Sequence, residues 1–338
     1  MGGLMENCSE AANIACIFAS LRSEMMSSAG QSADQKTSGA ATAGRVPAVS
    51  VVVPCYNGGR FLDALMASLD RQTFRDFEIV IVDDGSTDPE TLRKLTALEG
   101  RARVIHQENR GLSGARNTGI RAARSELVAP LDCDDAFEPP FLAEAVALMR
   151  SAPPDVAVVF SHMRLTGVAT GFLERHFNRF DLLFTNPTPS GLLLRKSCWD
   201  AVGGYDESMR DGYEDWEFTL RLSAHGYRGI EIPQPYYVYA MAREGMLLDR
   251  SSRVHAALWR SIRRKHPELY RPWAILSLWR RTRDGSGSIS LAKGLAALFL
   301  TTILPDAWYS HLAVSLRRRH LLESNRPRYQ PVGTKIVA

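Results

Sequence analysis

Cysteine is scarce and poorly placed for cross-linking. The 338-residue chain has five, an odd number, with no Cys-x-x-Cys pair and no Cys/His spacing that suits zinc, so reduced thiols in a cytoplasmic compartment are expected rather than a disulfide framework. Long apolar runs are missing too. The most apolar stretch, Leu291 to Leu304, contains Lys293 and Gly294 and is followed by Pro305; it falls short of the ~20 residues that span a bilayer. An earlier patch, Ile14 to Leu21, is shorter still, and Glu6 and Glu10 precede it where a signal peptide carries Lys or Arg. It reads as a short interfacial helix or a mis-assigned start. No Gly-x-Gly-x-x-Gly follows the first apolar strand, which argues against dinucleotide binding.

Charge of one sign is missing from the whole but not from the parts. The net charge is +4. From Ser251 to Ala338, 16 basic residues face 4 acidic ones, a local +12, while residues 1–250 carry 25 basic against 33 acidic, or −8. An acidic main region disfavours nucleic acid as a partner, and a basic tail suits an anionic surface. Length and an ordinary globular composition allow one large α/β domain with a smaller appendage. Residues 1–45, rich in Ala, Ser and Gly without an apolar period, read as a disordered extension.

From Val46 the character changes. Val49-Ser50-Val51-Val52-Val53, ended by Pro54, predicts a buried parallel strand. Cys55-Tyr56-Asn57-Gly58-Gly59 then turns into a helix with Leu62, Leu65, Met66 and Leu69 on one face. Glu78 to Val82 is a second strand, ending in Asp83-Asp84-Gly85-Ser86-Thr87-Asp88 before a helix from Pro89. Val104 to His106 is a third, and Ser113 is the expected N-cap of a helix running to about Ala123. Glu126 to Leu131 is a fourth, delivering Asp132-Cys133-Asp134-Asp135 ahead of a helix over Pro140 to Arg150. The alternation predicts a mostly parallel sheet with right-handed crossovers. Beyond it the pattern loosens: strands over Val156 to Phe160 and Ser190 to Leu194, an irregular stretch from Phe172 to Thr185, a short helix over Ser197 to Val202, and a helix opened by Glu214 or Asp215 and closed by Gly226. Past Tyr239 the chain becomes helical and Arg-rich.

Carboxylates therefore gather at strand ends, where an open α/β sheet binds its ligands. An Asp cluster there offers hard oxygen atoms to a divalent cation that bridges to phosphate; an acidic turn and plain helix caps are the competing readings. Five motifs occur in one order: Val51-Val52-Val53-Pro54-Cys55-Tyr56-Asn57, Val82-Asp83-Asp84-Gly85-Ser86-Thr87-Asp88, Gly111-Leu112-Ser113-Gly114-Ala115-Arg116-Asn117-Thr118-Gly119, Asp132-Cys133-Asp134-Asp135 and Gly212-Tyr213-Glu214-Asp215-Trp216. The series, over roughly residues 48–245, resembles the family 2 inverting glycosyltransferases. The resemblance implies an α/β fold of GT-A type, a Rossmann-like sandwich with a mostly parallel central sheet. It divides the chain into a disordered extension (1–45), a catalytic domain (46–248) and a basic helical C-terminal region (249–338).

Roles follow by resemblance. Pro54 and Tyr56 look like the wall of a nucleotide-base pocket, with Asn57 beside them in the donor site. Asp84 looks like the acceptor for a base N–H, with Asp83 as its neighbour. Arg116 supports the loop or the donor, or forms a structural salt bridge. Asp132 and Asp134 look like the ligands of Mg²⁺ or Mn²⁺, with Asp135 either joining them or holding them from behind, and the cation would neutralise charge on the departing nucleoside diphosphate. Asp215 looks like the general base that takes the acceptor's proton, and Glu214 either shares that role or holds the acceptor. Arg243 is a candidate for the diphosphate clamp, in a stretch where related enzymes carry an Arg-rich or His-containing loop and this sequence has Tyr239-Ala240-Met241-Ala242-Arg243 instead.

The implied activity is metal-dependent transfer of a sugar from a nucleotide-sugar donor to a glycan or lipid-linked acceptor in cell-surface polysaccharide synthesis, with Leu165 to Pro189 choosing the acceptor. A non-catalytic partner subunit is one alternative. A sugar nucleotidyltransferase is another, although that would want a Gly-rich basic loop where Pro54-Cys55-Tyr56-Asn57 stands. In the C-terminal region, Leu291 to Leu304 lies between Arg280, Arg281, Arg283 and Arg317, Arg318, Arg319, near Trp273, Trp279, Trp308 and Tyr309. This reads as an interfacial helix touching the inner face of the plasma membrane, or equally as a soluble helical subdomain packed on the catalytic core.

Overall fold

The computed structural model describes residues 45–167, 170–241, 254–282 and 287–323. The expected disorder of residues 1–45 lies, Arg45 apart, outside the described residues, as does Arg243.

Every residue of Val49–Cys55 (β1) is buried. The helix Gly59–Asp70 (α1) follows and buries Leu62, Leu65, Met66 and Leu69, the predicted face. Phe77–Asp83 (β2), Pro89–Leu98 (α2), Arg103–His106 (β3), Gly111–Ala122 (α3) and Leu127–Pro130 (β4) complete a unit in which β3, β2, β1 and β4 lie side by side, all parallel. The first strand runs two residues past its expected end. The Leu131 N–H donates to the Val52 carbonyl, so Val52 faces β4, and Pro54, two residues on, faces the same side beyond the last paired residue. Its missing N–H therefore leaves no gap in a ladder. Side chains of β1 alternate between two cores: Val49, Val51 and Val53 join Leu62, Leu65 and Phe141 on one face, and Val52 joins Ile120, Trp199 and Trp216 on the other. A strand buried on both faces is the middle layer of a sandwich.

The second half is mixed in direction. After Ala136–Phe137 (β5) and Phe141–Ser151 (α4) come Val156–Gly167 (β6), Gly171–Leu173 (β7), Leu193–Arg195 (β8), Lys196–Ala201 (α5), Glu214–Ala224 (α6) and Arg228–Met241 (β9). The sheet order is β3-β2-β1-β4-β8-β6-β9-β5, with β7 beside β6. Phe172 to Thr185, expected to be irregular, holds the end of β7 and a 3-10 turn at Asp181–Leu183. The long strand β9 has no counterpart in the sequence reading, because Pro233 and Pro235 break the pattern. β9 pairs with β6 at Arg228 against Val156 and then in two longer runs, Gly229 to Ile232 against Val158 to Ser161 and Tyr237 to Met241 against Met163 to Gly167, and the prolines sit in the register shift between those two runs.

Among the described residues four helices follow: His255–Lys265 (α7), Pro272–Arg281 (α8), Leu291–Ile303 (α9) and Asp306–Glu323 (α10). Trp259 and Ile262 of α7, Ile275 of α8 and Tyr309 of α10 enter the second core, and Trp259 Nε1 donates to the Leu183 carbonyl at 2.9 Å. Among the described residues no helix is long and apolar enough to cross a membrane.

Candidate active site

Three neighbouring parallel strands end side by side, and each end carries a sequence motif. After β1, Asn57 adopts a left-handed φ of 50°. Its Oδ1 accepts from the backbone N–H of Thr87 (2.8 Å) and Asp88 (2.9 Å), and its own N–H donates to Ser86 Oγ (2.9 Å). Asn57 thus staples the β1 turn to the β2 turn. Tyr56 beside it leaves 55% of its surface open, an available ring face, whereas Pro54 is buried within β1.

Asp83 and Asp84, at the end of β2, are each only 3% exposed. Asp83 accepts from the Ser86 N–H at 2.9 Å and pairs with His106 Nδ1 at 2.8 Å. Asp84 accepts from Gln107 Nε2 (2.6 Å) and from the backbone N–H groups of Arg110 and Gly111 (both 2.8 Å). A carboxylate at a helix start satisfies orphan donors and meets the positive end of the dipole. The cap of α3 therefore comes from the neighbouring strand end. Ser113, expected as the N-cap, lies inside the first turn, and its buried Oγ has no hydrogen-bond partner. Asp84 uses three of the roughly four acceptor positions of a carboxylate.

Arg116, on the inner face of α3, is 1% exposed. One terminal nitrogen reaches both Asp132 oxygens (2.7 and 2.9 Å) and the other reaches Glu214 Oε1 (2.7 Å). The guanidinium also lies 5.4 Å from the centre of the Tyr205 ring, and its Nε is buried without a partner. Between the roles expected for Arg116, the geometry has the ion pair.

The acidic turn after β4 separates its three carboxylates. Asp135, 4% exposed, directs both oxygens at β9, one accepting from the Ala240 N–H (2.9 Å) and the other from the Tyr237 hydroxyl. Asp134 is pushed up to about 6 by burial, with Asp132 adding and Arg60 and Arg116 opposing. Among the described residues no group of three His, Cys, Asp or Glu side chains converges as a metal site. Asp132, whose two oxygens also accept from Arg116, and Asp134 are the two carboxylates left for a cation, in a partly dry setting that favours added positive charge. That fits Mg²⁺ or Mn²⁺, which take few protein ligands and complete their shell with phosphate and water.

Tyr213 precedes α6 with φ 66°, a left-handed conformation that is uncommon for a bulky residue. Its hydroxyl hydrogen-bonds His255 Nδ1 at 2.8 Å, and its ring packs 5.2 Å from Trp216. The next two residues differ sharply in exposure. Glu214 is 5% exposed and paired with Arg116; burial, against the pull of Arg116, lifts its carboxyl to about 7. Asp215 is half-buried, accepts from the Trp216 N–H and from Asn186 Nδ2 (both 2.8 Å), and is raised above the ordinary carboxylate range, chiefly by burial. Glu214, expected as a possible holder of the acceptor, is thus committed to the interior, and Asp215 is the neighbour that retains exposure.

Sequence reasoning passed over Asn186, Tyr237, Gln107 and Arg60. Gln107 and Arg60 adjoin motifs that were read, but Asn186 and Tyr237 lie in stretches without one. A cavity of about 520 Å³ bordered by Asn117, Arg121, Tyr205, Glu217, Arg221 and His266 contains none of the expected site residues.

Residues 50–205 match the family described as glycosyl transferase family 2. The chain is 30% identical over 193 residues to the chondroitin synthase of Escherichia coli, an alignment covering 55% of this chain and 28% of that one. The chain spans between 27% and 33% of several of the curated relatives it matches. Among solved structures it is similar to S. aureus TarS 1-349 in complex with UDP-GlcNAc, with TM-score 0.55, 20% identity and coverage of 82% and 91%. It is also similar to the mannosyltransferase PcManGT from Pyrobaculum calidifontis in complex with GDP-Man and Mn²⁺, with TM-score 0.50, 19% identity and coverage of 93% and 96%. These likenesses show the GT-A fold.

Proposed function

The chain belongs to glycosyltransferase family 2, and from that premise we propose that it moves a sugar from a nucleotide-sugar donor to a hydroxyl of a glycan or lipid-linked acceptor in one inverting displacement. One observation carries the reading: buried Arg116 joins Asp132 of the acidic turn to Glu214, whose neighbour Asp215 is only half-buried. Residues 46–248 act as the catalytic unit, on cell-surface polysaccharide precursors in the cytoplasm.

Each residue has a task it is suited to. Tyr56 offers its open ring to the base, and Asp84 has an acceptor position left for a base N–H. Asp132 and Asp134 would hold Mg²⁺ or Mn²⁺, which when bound neutralises charge on the departing diphosphate. Asp135 fixes the turn against β9. Asp215 takes the proton from the acceptor hydroxyl as its oxygen attacks the anomeric carbon opposite the phosphate. Its raised proton affinity suits a general base, and Asn186 aims it. Glu214 and Arg116 are positioning residues. The bound UDP-GlcNAc of TarS and the GDP-Man and Mn²⁺ of PcManGT support donor class and metal by likeness of fold.

A thermal-shift screen of nucleotides and nucleotide sugars with Mn²⁺ tests the reading, since ligand at about a hundred times its dissociation constant adds roughly 2.7 kcal/mol. Selective stabilisation by one nucleotide family, lost with EDTA, is expected. Nucleoside-diphosphate release that EDTA leaves unchanged would remove the metal from the account.

A further inference from the structure

The helix α9 is apolar on two sides, and only one of them is accounted for. Its inner side carries Gly294 and Thr301, both buried. Gly294 lies so close to the core that a Cβ there would stand 2.6 Å from Phe184 Cζ. Its outer side carries Leu295, Phe299 and Ile303, four residues apart along one stripe, at 46%, 62% and 57% exposure. Trp308 of α10 is a further exposed apolar side chain, at 73%. A helix that meets water on its outer side normally presents polar residues there, and a contiguous apolar patch marks an interaction surface.

Charge decides the partner. The region from Ser251 onward carries 16 basic and 4 acidic residues, +12. Two copies meeting through this face would bring two such regions together, which opposes self-association; an anionic lipid surface is attracted instead, by about 1 kcal/mol for each basic residue near it. Lys293 in the first turn of α9, and Arg280 and Arg281 at the end of α8, are exposed. Trp273, 65% exposed, and Trp308 have amphipathic rings suited to headgroup depth. Tyr309, by contrast, is buried at 7% and stacks 6.0 Å from Trp259, so the aromatic residues of this region divide between core and surface. A thirteen-residue helix is about 20 Å long, too short to cross a bilayer of about 30 Å but able to lie along it.

We infer that α9 lies flat on an anionic bilayer leaflet, with Leu295, Phe299 and Ile303 at the acyl boundary and Trp308 and the surrounding basic residues at the headgroups. The inference does not depend on the glycosyl-transfer reading, since none of these residues belongs to the candidate site. Full-length protein should co-sediment with phosphatidylcholine vesicles containing phosphatidylglycerol and far less with phosphatidylcholine alone. Changing Leu295→Gln, Phe299→Gln and Ile303→Gln together should weaken binding at least about tenfold, because each side chain contributes by leaving water, with the melting temperature unchanged. A second variant, Arg280→Glu with Arg281→Glu and Lys293→Glu, keeps the stripe and should also lower binding to the anionic vesicles. Wild-type protein that ignores anionic vesicles, or a stripe variant that binds them as well as wild type, would overturn the inference. So would a wild-type dimer that ignores vesicles and that the stripe variant converts to monomer, since a second copy would then be the occupant.

Discussion

Replacing Arg116 by methionine removes one cation and strands two carboxylates. In the native protein the guanidinium makes three contacts of 2.7 to 2.9 Å with Asp132 and Glu214, and both it and Glu214 are buried. Breaking a buried pair from one side costs about 3–5 kcal/mol, because the remaining charge keeps its desolvation penalty. The acid can escape part of that cost by taking a proton. Glu214 is already lifted to about 7, by burial against the pull of Arg116, so without Arg116 its carboxyl rises further. A carboxyl raised in the folded state binds more protons there than in the unfolded chain, so its contribution falls as pH rises above the unfolded value. The gap between wild type and Arg116→Met should therefore be smallest near pH 5 and widest near pH 8. Thermal melts at both pH values measure it, with a loss of roughly 5–10 °C expected at neutral pH. Arg116→Lys should fall between, because an ammonium cannot reproduce the planar fork. A loss below about 1 kcal/mol, or one that is the same at both pH values, would refute the reasoning.

Other expectations follow from the same contacts. Tyr237→Phe deletes the hydroxyl that donates to buried Asp135; it should cost about 1–3 kcal/mol in urea unfolding and weaken donor binding, and unchanged values in both would show that the clamp on the acidic turn is idle. Gly119 sits where a Cβ would lie 2.4 Å from Val52 Cγ1 and 3.1 Å from Val82 Cγ2. Gly119→Ala should therefore wedge α3 off the sheet at a cost of about 1–3 kcal/mol, and a stabilised variant would contradict the close packing. Glu217 is 2% exposed and bonded by Arg221 (2.7 and 3.0 Å) and His266 (2.9 Å). Burial alone would raise its carboxyl, but these partners hold it below the ordinary 4.5. Its stability contribution is present above that ordinary value and is lost as pH falls through the lowered folded one. Glu217→Gln should flatten the acid limb of a stability-pH profile, and an identical limb would count against the network.

The periodic elements were legible in the sequence and the cross-chain contacts were not. Alternating buried runs announced β1, β2 and β4, and the Leu62, Leu65, Met66, Leu69 spacing announced α1 with its buried face. Pro233 and Pro235 hid β9, because the bulge that accommodates them depends on β6, a partner distant in sequence. At the candidate site, acidic residues at strand ends pointed to loops that the fold sets at neighbouring strand ends, but their side-chain commitments came only with tertiary structure. Asp84 caps α3, Asn57 ties two turns together, and Asp135 reaches β9. Asn186 could not be assigned to Asp215 by any local pattern, since their contact joins loop and helix across 29 residues.

The most direct test separates donor binding from transfer in Asp215→Asn. Calorimetric titration with the stabilising nucleotide sugar and Mn²⁺ should give wild-type affinity, because Asp215 is assigned to the acceptor's proton and not to the donor. Transfer should fall by about 10²-fold or more, the usual contribution of a general base. A variant that binds donor and transfers sugar at the wild-type rate would contradict the assignment of Asp215 and, with it, the account of this site.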